Sequence, residues 1–360
     1  MNLVKTSYNS EDVIVLLKDL TNEMTEMSAS EREVAIQNGI HYSEMLPEEK
    51  EPSDEYKKLY NKALIDKANE IALDIGKIAE IIYNKTSTPV IISLARAGIP
   101  VGILIKRYLK FKYKIDCPHY AISIIRDKGI DVNAMNYIKE KENHVEDFIF
   151  VDGWTGKGAI KDQLTEAVKE LKENKEWENL SDDLYVLADP ANITSFTGTH
   201  LDFLLPSACL NSTVSGLISR TILNSKIDVE NGDFHGAVYF KKFEKIDCSN
   251  EFLDIITEKF KEVDYDFSEL HGKTGMEIVN NVCREYDVKD YKKVKPGIGE
   301  TTRVLLRRIP WKILINKNIS TLDPDIQHIL VLAKEKNVEV EKFDLGNYKI
   351  CGIIKELADV

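Results

Sequence analysis

The stretch FIFVDGWTGKG, at residues 148–158, decides the fold class of this chain. Four apolar residues lead into an acid, Asp152, and then into a turn in which Thr155 precedes Gly156 and Gly158. A short apolar run of this kind is typical of a strand buried on both faces of a parallel sheet. The glycines allow consecutive N–H groups to point into one hollow, and the following helix adds the positive end of its dipole. The sequence therefore predicts a strand, a phosphate-binding turn and a helix; the alternative is an ordinary glycine-rich turn.

Four more apolar runs surround this one and define the sheet. They lie at residues 89–94, 120–125, 184–188 and 201–205, and helical patterns separate several of them. Alternation of strands and helices predicts an α/β domain with a parallel sheet flanked by helices. Ligands of such sheets collect beyond the carboxyl ends of the strands. Candidate site residues are therefore those that follow each strand.

Two loops of this kind carry cations. Arg96 follows the first strand and stands before Ala97 and Gly98, so backbone amides and one guanidinium could wrap an anion there. Arg126 and Lys128 follow the second strand and could neutralise a leaving anion. The alternatives are a surface ion pair for Arg96 and a solvated charge run for the second loop.

Polar residues also follow the fourth and fifth strands. Asp189 ends the fourth strand. A run of small donors and acceptors follows the fifth, and its candidate ligands are Asn211, Ser212, Thr213 and Ser215. Such groups suit a nucleobase-like ligand, and they equally suit the cap of a helix expected over residues 216–223.

The two ends of the chain read differently from its centre. Residues 1–60 are interpreted as an N-terminal helical or lid segment, and residues 251–290 as a connecting helical segment. Residues 291–360 form a small α/β unit with ten Lys and three Arg against nine acids, a net charge of +4 within a chain of −12. The remaining residues therefore carry −16, and this contrast hints at an anionic partner for the C-terminal unit alone.

That unit opens with a glycine-rich turn before a helix. Gly297 and Gly299 allow close approach of a phosphodiester, while Glu300 and Arg303 share one helix face and Arg307 extends the cation patch. The pattern predicts RNA binding; the alternative is a glycine-rich helix cap in a regulatory module.

Several function classes are disfavoured by composition. The longest apolar stretch, residues 90–105, contains Arg96 and Pro100 and is too short for a membrane span. Five scattered cysteines without a C-x-x-C pair fit a cytoplasmic protein. Cys209 has His200 and His235 as sequence neighbours, so a cysteine protease stays an alternative, although burial as a small hydrophobe is the favoured interpretation.

The motifs resemble those of known families. Residues 148–158 resemble the phosphoribosyl pyrophosphate (PRPP) motif of type I phosphoribosyltransferases, with Gly153 where a second acid is usual, and the Arg96 loop resembles their pyrophosphate loop. Residues 297–303 resemble the RNA-binding domain of Pelota and the kink-turn-binding proteins. The whole chain resembles the bacterial phosphoribosyltransferase-like family linked to tellurite-resistance stress operons, also labelled StiP, whose members carry a C-terminal Pelota-type domain.

This resemblance implies a function for residues 61–250. The expected reaction transfers phosphoribose from PRPP, with Mg²⁺, to a nucleobase-like acceptor, or the reverse phosphorolysis, and yields a nucleoside-like metabolite. The resemblance implies catalytic roles for Arg96, Arg126, Lys128 and Asp152, with Asp152 also the magnesium ligand. It implies substrate contacts from Ala97, Gly98, Gly153, Thr155, Gly156, Lys157, Gly158, Asp189, Asn211, Ser212, Thr213 and Ser215.

Expected partners are PRPP, a small acceptor, RNA and a second copy of the chain. Two alternatives to the transferase remain. One is a non-catalytic, nucleotide-sensing RNA-binding protein, and the other is a cysteine protease that uses Cys209.

Overall fold

A computed structural model describes residues 2–224, 232–263 and 275–355. The strands, in chain order, are β1 Ile14–Val15, β2 Lys18–Asp19, β3 Glu26–Met27, β4 Leu46–Pro47, β5 Val90–Leu94, β6 His119–Ile122, β7 Ile124–Ile125, β8 Gly129–Ile130, β9 Phe148–Trp154, β10 Leu184–Ala188, β11 Thr197–Thr199, β12 Gly236–Ala237, β13 Val294–Pro296, β14 Pro310–Asn316, β15 Glu339–Phe343 and β16 Ile350–Ile354. The helices are α1 Ala29–Gln37, α2 Asp54–Lys85, α3 Gly98–Tyr113, α4 Val132–Glu142, α5 Ala159–Leu171, α6 Pro206–Cys209, α7 Ser249–Thr257, α8 Gly275–Glu285, α9 Ile298–Arg307 and α10 Gln327–Glu335.

The main sheet has six parallel strands in the order β1-β6-β5-β9-β10-β11. Its central strands, β5, β9 and β10, are buried almost throughout. Apolar side chains cover both faces, with α2 and α3 on one and α4 and α5 on the other. The predicted α/β domain with a parallel sheet flanked by helices is confirmed.

The longest helix, α2, follows directly from the apolar periodicity of the sequence. Ser53 caps its first turn by accepting a hydrogen bond from the backbone N–H of Tyr56. Ile71, Ile75 and Ile78 recur on one helical face and are fully buried against the sheet domain. Among the described helices, none combines the length and the apolar character needed to cross a lipid bilayer.

The C-terminal unit has a four-stranded mixed sheet in the order β13-β16-β14-β15. Strand β16 is antiparallel to both of its neighbours, whereas β14 and β15 are parallel. Together with the helices α9 and α10, these strands give the small α/β unit expected for residues 291–360.

The N-terminal region differs from the expected helix. Residues 11–28 contain only short strands and turns, and the helix α1 occupies residues 29–37 alone. Leu16, Leu17 and Leu20 are fully buried, but they are buried because β1 adds to the edge of the main sheet and β2 pairs with β12. Apolar residues three and four apart thus serve two short strands rather than one helix face.

The fifth strand also lies elsewhere than expected. Residues 201–205 contain no strand, and the sixth position of the sheet is filled by β11 at Thr197–Thr199. Gly198 in β11 packs directly against α2, and a Cβ added to it would lie 2.5 Å from Cβ of Asp74. Residues 216–223 form no helix, and part of the predicted connecting segment, residues 264–274, lies outside the described residues.

The contact at Gly198 yields a stability prediction. Gly198→Ala should lower the free energy of unfolding by about 1–3 kcal/mol, because the new methyl group overlaps Asp74 on α2. Gly352→Ala is the matched strand control, since its Cβ would meet Thr301 only at 3.4 Å. Urea denaturation compares the two variants, and an equal effect at both positions would contradict this account.

Candidate active site

Asp152 lies near the carboxyl end of β9, at the predicted site. Its Oδ1 accepts a hydrogen bond of 2.7 Å from the backbone N–H of Gly153. Desolvation raises the pKa of its carboxyl to about 7, although that hydrogen bond and the charge of Arg303 act in the opposite direction. Asp152 therefore changes charge near neutral pH.

The first predicted anion loop packs tightly on β9. A Cβ on Gly98 would lie 2.3 Å from the carbonyl oxygen of Val151, and a Cβ on Gly153 would lie 2.9 Å from that of Ala97. Glycine is needed at both positions because backbone approaches backbone there. The close approach of these two segments is the structural reason for their small residues.

Arg96 is engaged within the protein. Its guanidinium donates to Oε1 of Glu49 at 2.7 Å and to the carbonyl oxygen of Ile218 at 2.6 Å. Oε2 of Glu49 in turn accepts from the backbone N–H of Ser212 at 3.1 Å. Glu49, which sequence reasoning missed, therefore joins the loop after β5 to the segment after α6.

Asp189 organises the loop at the end of β10. Its Oδ1 accepts from the hydroxyl of Thr155, and its Oδ2 accepts from the N–H groups of Ile193 and Thr194 at 2.7 and 2.9 Å. Nδ1 of His200 lies 3.0 Å from the Asp189 carbonyl oxygen and 3.4 Å from Oδ2. The carboxylate therefore holds both a hydroxyl and an imidazole at the carboxyl edge of the sheet.

The glycine-rich turn after β9 contacts the C-terminal unit. Nζ of Lys157 donates to the carbonyl oxygens of Tyr291 and Val294 at 2.7 and 3.1 Å. The carbonyl oxygen of Gly156 accepts from the Tyr348 hydroxyl at 2.7 Å. Gly158 ends the turn with φ of +98° and begins α5.

A tyrosine lies between two arginines at the second predicted loop. The hydroxyl of Tyr42 accepts from the backbone N–H of Arg126 at 2.9 Å. The guanidinium carbons of Arg126 and Arg220 lie 5.7 and 5.1 Å from the centre of its ring. Lys128 is exposed beside this group.

The segment after α6 makes mainly local hydrogen bonds. The hydroxyl of Thr213 donates to the carbonyl oxygen of Leu210 at 2.6 Å, and that of Ser215 donates to the carbonyl oxygen of Asn211. The Ser212 hydroxyl is buried without a hydrogen-bond partner among the described residues. Asn211 and Ser215 nevertheless line an open cleft.

Two clefts meet at Trp154. The junction cleft, of about 330 Å³ including space open to solvent, is lined by Trp154, Thr155, Ala188, Pro190, Leu201, Asp202, Phe203, Leu205, Pro296, Gly297, Ile298, Gly299 and Glu300. The arginine cleft, of about 290 Å³ on the same measure, is lined by Arg96, Ala97, Pro100, Trp154, Ser207, Asn211, Ser215 and Arg303.

Cys209 lies in a chain segment whose flanking residues line the arginine cleft. It is the last residue of α6, and its neighbours Ser207 and Asn211 both line that cleft. Trp154 was not among the candidate residues, although its position between Asp152 and Thr155 is the sequence signal that could have identified it.

The predicted RNA-binding motif of the C-terminal unit lies at the same clefts. Gly297, Gly299 and Glu300 line the junction cleft, and Arg303 lines the arginine cleft with its guanidinium carbon 4.7 Å from the ring centre of Trp154. Arg307 is the last residue of α9. Residues predicted for two separate sites therefore line one continuous region.

Metal ligands are not gathered in this region. Across the described ranges, no group of three or more His, Cys, Asp or Glu side chains is arranged to hold a metal ion. The expected Mg²⁺ at Asp152 stays a prediction.

The pKa of Asp152 yields a prediction for pH dependence. The carboxyl of Asp152 has its ordinary pKa of 3.8 in the unfolded chain and a pKa of about 7 in the folded protein. Between these values the unfolded chain loses the proton first, so the free energy of unfolding of the wild type falls as pH rises from about 4 to 7. Asp152→Asn carries no charge and keeps an acceptor oxygen. Its stability advantage over wild type should grow across that range, reach about 1–4 kcal/mol and stay level above pH 7.

Urea denaturation at several pH values measures this difference. Asp66→Asn, at a half-exposed position, is the control. If Asp152→Asn is as pH-dependent as wild type, Asp152 is not desolvated in solution.

Comparisons with known proteins identify both parts of the chain. Residues 6–257 match a family model described as "Tellurite-like stress resistance cysteine protease StiP". Residues 273–356 match the PELOTA RNA binding domain. The chain is also 31% identical, over 98% of its length and 94% of the relative's, to the "Cysteine protease StiP" of Acinetobacter baylyi (strain ATCC 33305 / BD413 / ADP1).

These matches correct the expected activity. The phosphoribosyltransferase function is wrong, because the family model and the relative both carry a cysteine protease description. The donors that suggested phosphate binding, such as the Thr155 hydroxyl and the Arg96 guanidinium, bond to Asp189 and Glu49 instead. The resemblance to StiP and to the Pelota domain is confirmed: this chain belongs to the StiP family of tellurite-like stress resistance proteins and carries a C-terminal PELOTA RNA binding domain.

Proposed function

We propose that this chain is a cysteine peptidase whose nucleophile is the thiol of Cys209. The observation that carries the proposal is the family match over residues 6–257, within which Cys209 ends α6, and the flanking residues Ser207 and Asn211 line the arginine cleft. A cleft with open space and polar walls is the kind of place where a peptide could bind.

The other four cysteines are poor nucleophiles. Burial raises the pKa of the Cys117 and Cys351 thiols to about 11 and about 12, and it also raises the pKa of Cys248 and Cys283. A reactive cysteine needs a lowered pKa, because the thiolate is the attacking species. Cys283 and Cys351 also lie beyond the residues that match the protease family.

We assign the general base to His200. Its Nδ1 lies near both the carbonyl and the carboxylate oxygens of Asp189, an arrangement that fixes the tautomer and orientation of an imidazole. Three other histidines are core residues, because their rings are buried against neighbouring hydroxyls: His119 on Ser93, His235 on Ser123 and His328 on Thr302.

The proposed reaction follows from these roles. The imidazole takes the thiol proton, and the sulfur attacks the carbonyl carbon of the peptide. The C–N bond breaks as the amine leaves with that proton, and a thioester remains on Cys209. Water then hydrolyses the thioester, which releases the acid and restores the thiol.

We further propose a type I phosphoribosyltransferase-like fold for the N-terminal unit, independent of that activity. The loops after β5 and β9 lie at the same edge of the parallel sheet and pack on each other, as that fold requires. The boundaries at residues 61–250 and 291–360 stay predictions, and so does the homodimer.

We also propose that the C-terminal unit binds RNA. The support is the match of residues 273–356 to the PELOTA RNA binding domain, together with the net charge of +4 over residues 291–360.

The peptidase proposal predicts the effect of removing the nucleophile. Cys209→Ala should lower hydrolysis of casein by about 10³-fold or more, because attack then lacks its sulfur. Cys248→Ala, at a half-buried thiol elsewhere in the chain, should keep wild-type activity. Hydrolysis that survives in Cys209→Ala would remove Cys209 from the mechanism, and a wild-type protein inert toward casein and a peptide library would end the peptidase proposal.

Thiol alkylation tests the proposed base without a substrate. At pH 6, iodoacetamide should modify Cys209 faster than the other four cysteines, as peptide mapping measures, because a thiol paired with the proposed imidazole base forms the reactive thiolate more readily. In His200→Gln the rate at Cys209 should fall by about tenfold or more at pH 6 and recover near pH 9. Equal rates in the two proteins at pH 6 would assign the base to another residue.

A further inference from the structure

Cations from both units converge where the C-terminal unit meets the sheet edge. Nζ of Lys157 donates to the carbonyl oxygen of Val294, the neighbour of Lys295, and Oδ2 of Asp127, the neighbour of Arg126, lies 4.0 Å from Nζ of Lys292. Arg126 and Lys157 come from loops of the first unit, and Lys295 and Arg303 come from β13 and α9 of the second. The pKa of Lys157 falls to about 8 because of burial and the nearby charges of Lys295 and Arg126. Burial also lowers the pKa of Lys295, and Arg126, Arg308 and Arg303 lower it further. A chain with a net charge of −12 thus concentrates positive charge at one place.

Two carboxylates lie among these cations, Glu300 on the second unit and Asp127 on the first. Burial alone would raise the pKa of Glu300, yet Arg303, Lys295 and Lys157 hold it below its ordinary value. Glu300 forms an ion pair of 3.0 Å with Arg303. Asp127, on the loop of Arg126, is more than half exposed and its Oδ2 lies 3.6 Å from Nε of Arg126.

Two of the arginines, Arg126 and Arg303, have a buried Nε without a hydrogen-bond partner among the described residues. Nε of Arg126 makes no hydrogen bond in the described part of the chain, and the nearest carboxylate oxygen that pairs with it is the one of Asp127 at 3.6 Å. Lys295 is half-buried, and no hydrogen bond or ion pair joins its Nζ to another described residue. Desolvated like charges destabilise a folded protein, and an anion that bonds to them removes that cost.

We propose that the junction between the two units is a phosphate-binding site in which the backbone of a bound RNA contacts Arg126 and Lys295 together. This inference rests on the proposed RNA binding and extends it to a residue of the first unit, outside the RNA-binding domain. Phosphodiester is the fitting anion because it accepts hydrogen bonds from several cations at once and carries its charge on every nucleotide.

The site is open enough for such a ligand. The side chains of Arg126, Arg303 and Arg308 are each about one third exposed, at 32%, 35% and 33%. Two further exposed cations, Lys128 on the first unit and Lys292 on the second, add to the positively charged surface around these arginines. Lys157 lies behind this surface, where its hydrogen bonds to backbone carbonyl oxygens hold the units together.

Fluorescence anisotropy with a labelled pool of short random-sequence RNAs tests the proposal on the full chain. Arg126→Gln and Lys295→Gln should each weaken binding by about fivefold or more. Each should also reduce the slope of log K against log salt concentration by about 0.7, the value for one lost phosphate contact on a single strand. Lys336→Gln, which removes an exposed cation at the end of α10, should change both quantities little.

A pH series adds a readout that a purely structural role would not give. As pH rises above neutral, RNA affinity of the wild type should fall more than that of Lys295→Gln, because burial lowers the pKa of Lys295 and deprotonation removes its charge only where lysine is present. Thermal unfolding checks folding, and Lys295→Gln should unfold no earlier than wild type, since it relieves repulsion.

The outcomes separate this inference from the function on which it rests. A wild-type protein that binds no RNA overturns both. Wild-type binding that Arg126→Gln and Lys295→Gln leave unchanged overturns the junction site alone and keeps RNA binding on another face. If a labelled mononucleotide binds at the junction while RNA does not, the ligand is a small phosphate and the RNA assignment is wrong.

Discussion

Two backbone N–H groups of the C-terminal unit donate to one buried carboxylate of the first. Oδ1 of Asp202 accepts from the N–H of Ile298 at 3.0 Å, and Oδ2 accepts from that of Lys349 at 2.8 Å. Ile298 begins α9, so this bond fixes the end of the helix that carries Glu300 and Arg303. Because α9 is held there, its glycine-rich turn lines the junction cleft and both units contribute to one region.

The sequence predicted the sheet well because a strand buried on both faces appears in the sequence as a short run of apolar residues. The strands β5, β9 and β10 lie in the interior on both faces, and their apolar runs gave their positions to within a few residues. The isoleucine face of α2 carries a signal of the same kind, since its spacing of three and four residues matches one buried helix face. Residues 11–28 were misjudged because spacings of three and four fit a helix and two offset short strands equally well.

The site was harder to predict because its chemistry depends on partners far away in sequence. Thr155 and Arg96 have the donors that a phosphate needs, but Asp189 and Glu49 supply acceptors that a sequence cannot place. A family description was needed to correct the activity, whereas hydrogen-bond partners explain why the donors misled.

The stacking of Arg303 on Trp154 gives this protein an internal optical probe. The chain has three tryptophans, of which Trp177 is buried behind β9 and Trp311 is on β14 of the second unit. With phenylalanine at those two positions, tryptophan fluorescence would come from Trp154 alone, which lies where the two units are in contact. Its wavelength and intensity would then report separation of the halves, in real time and without an attached dye.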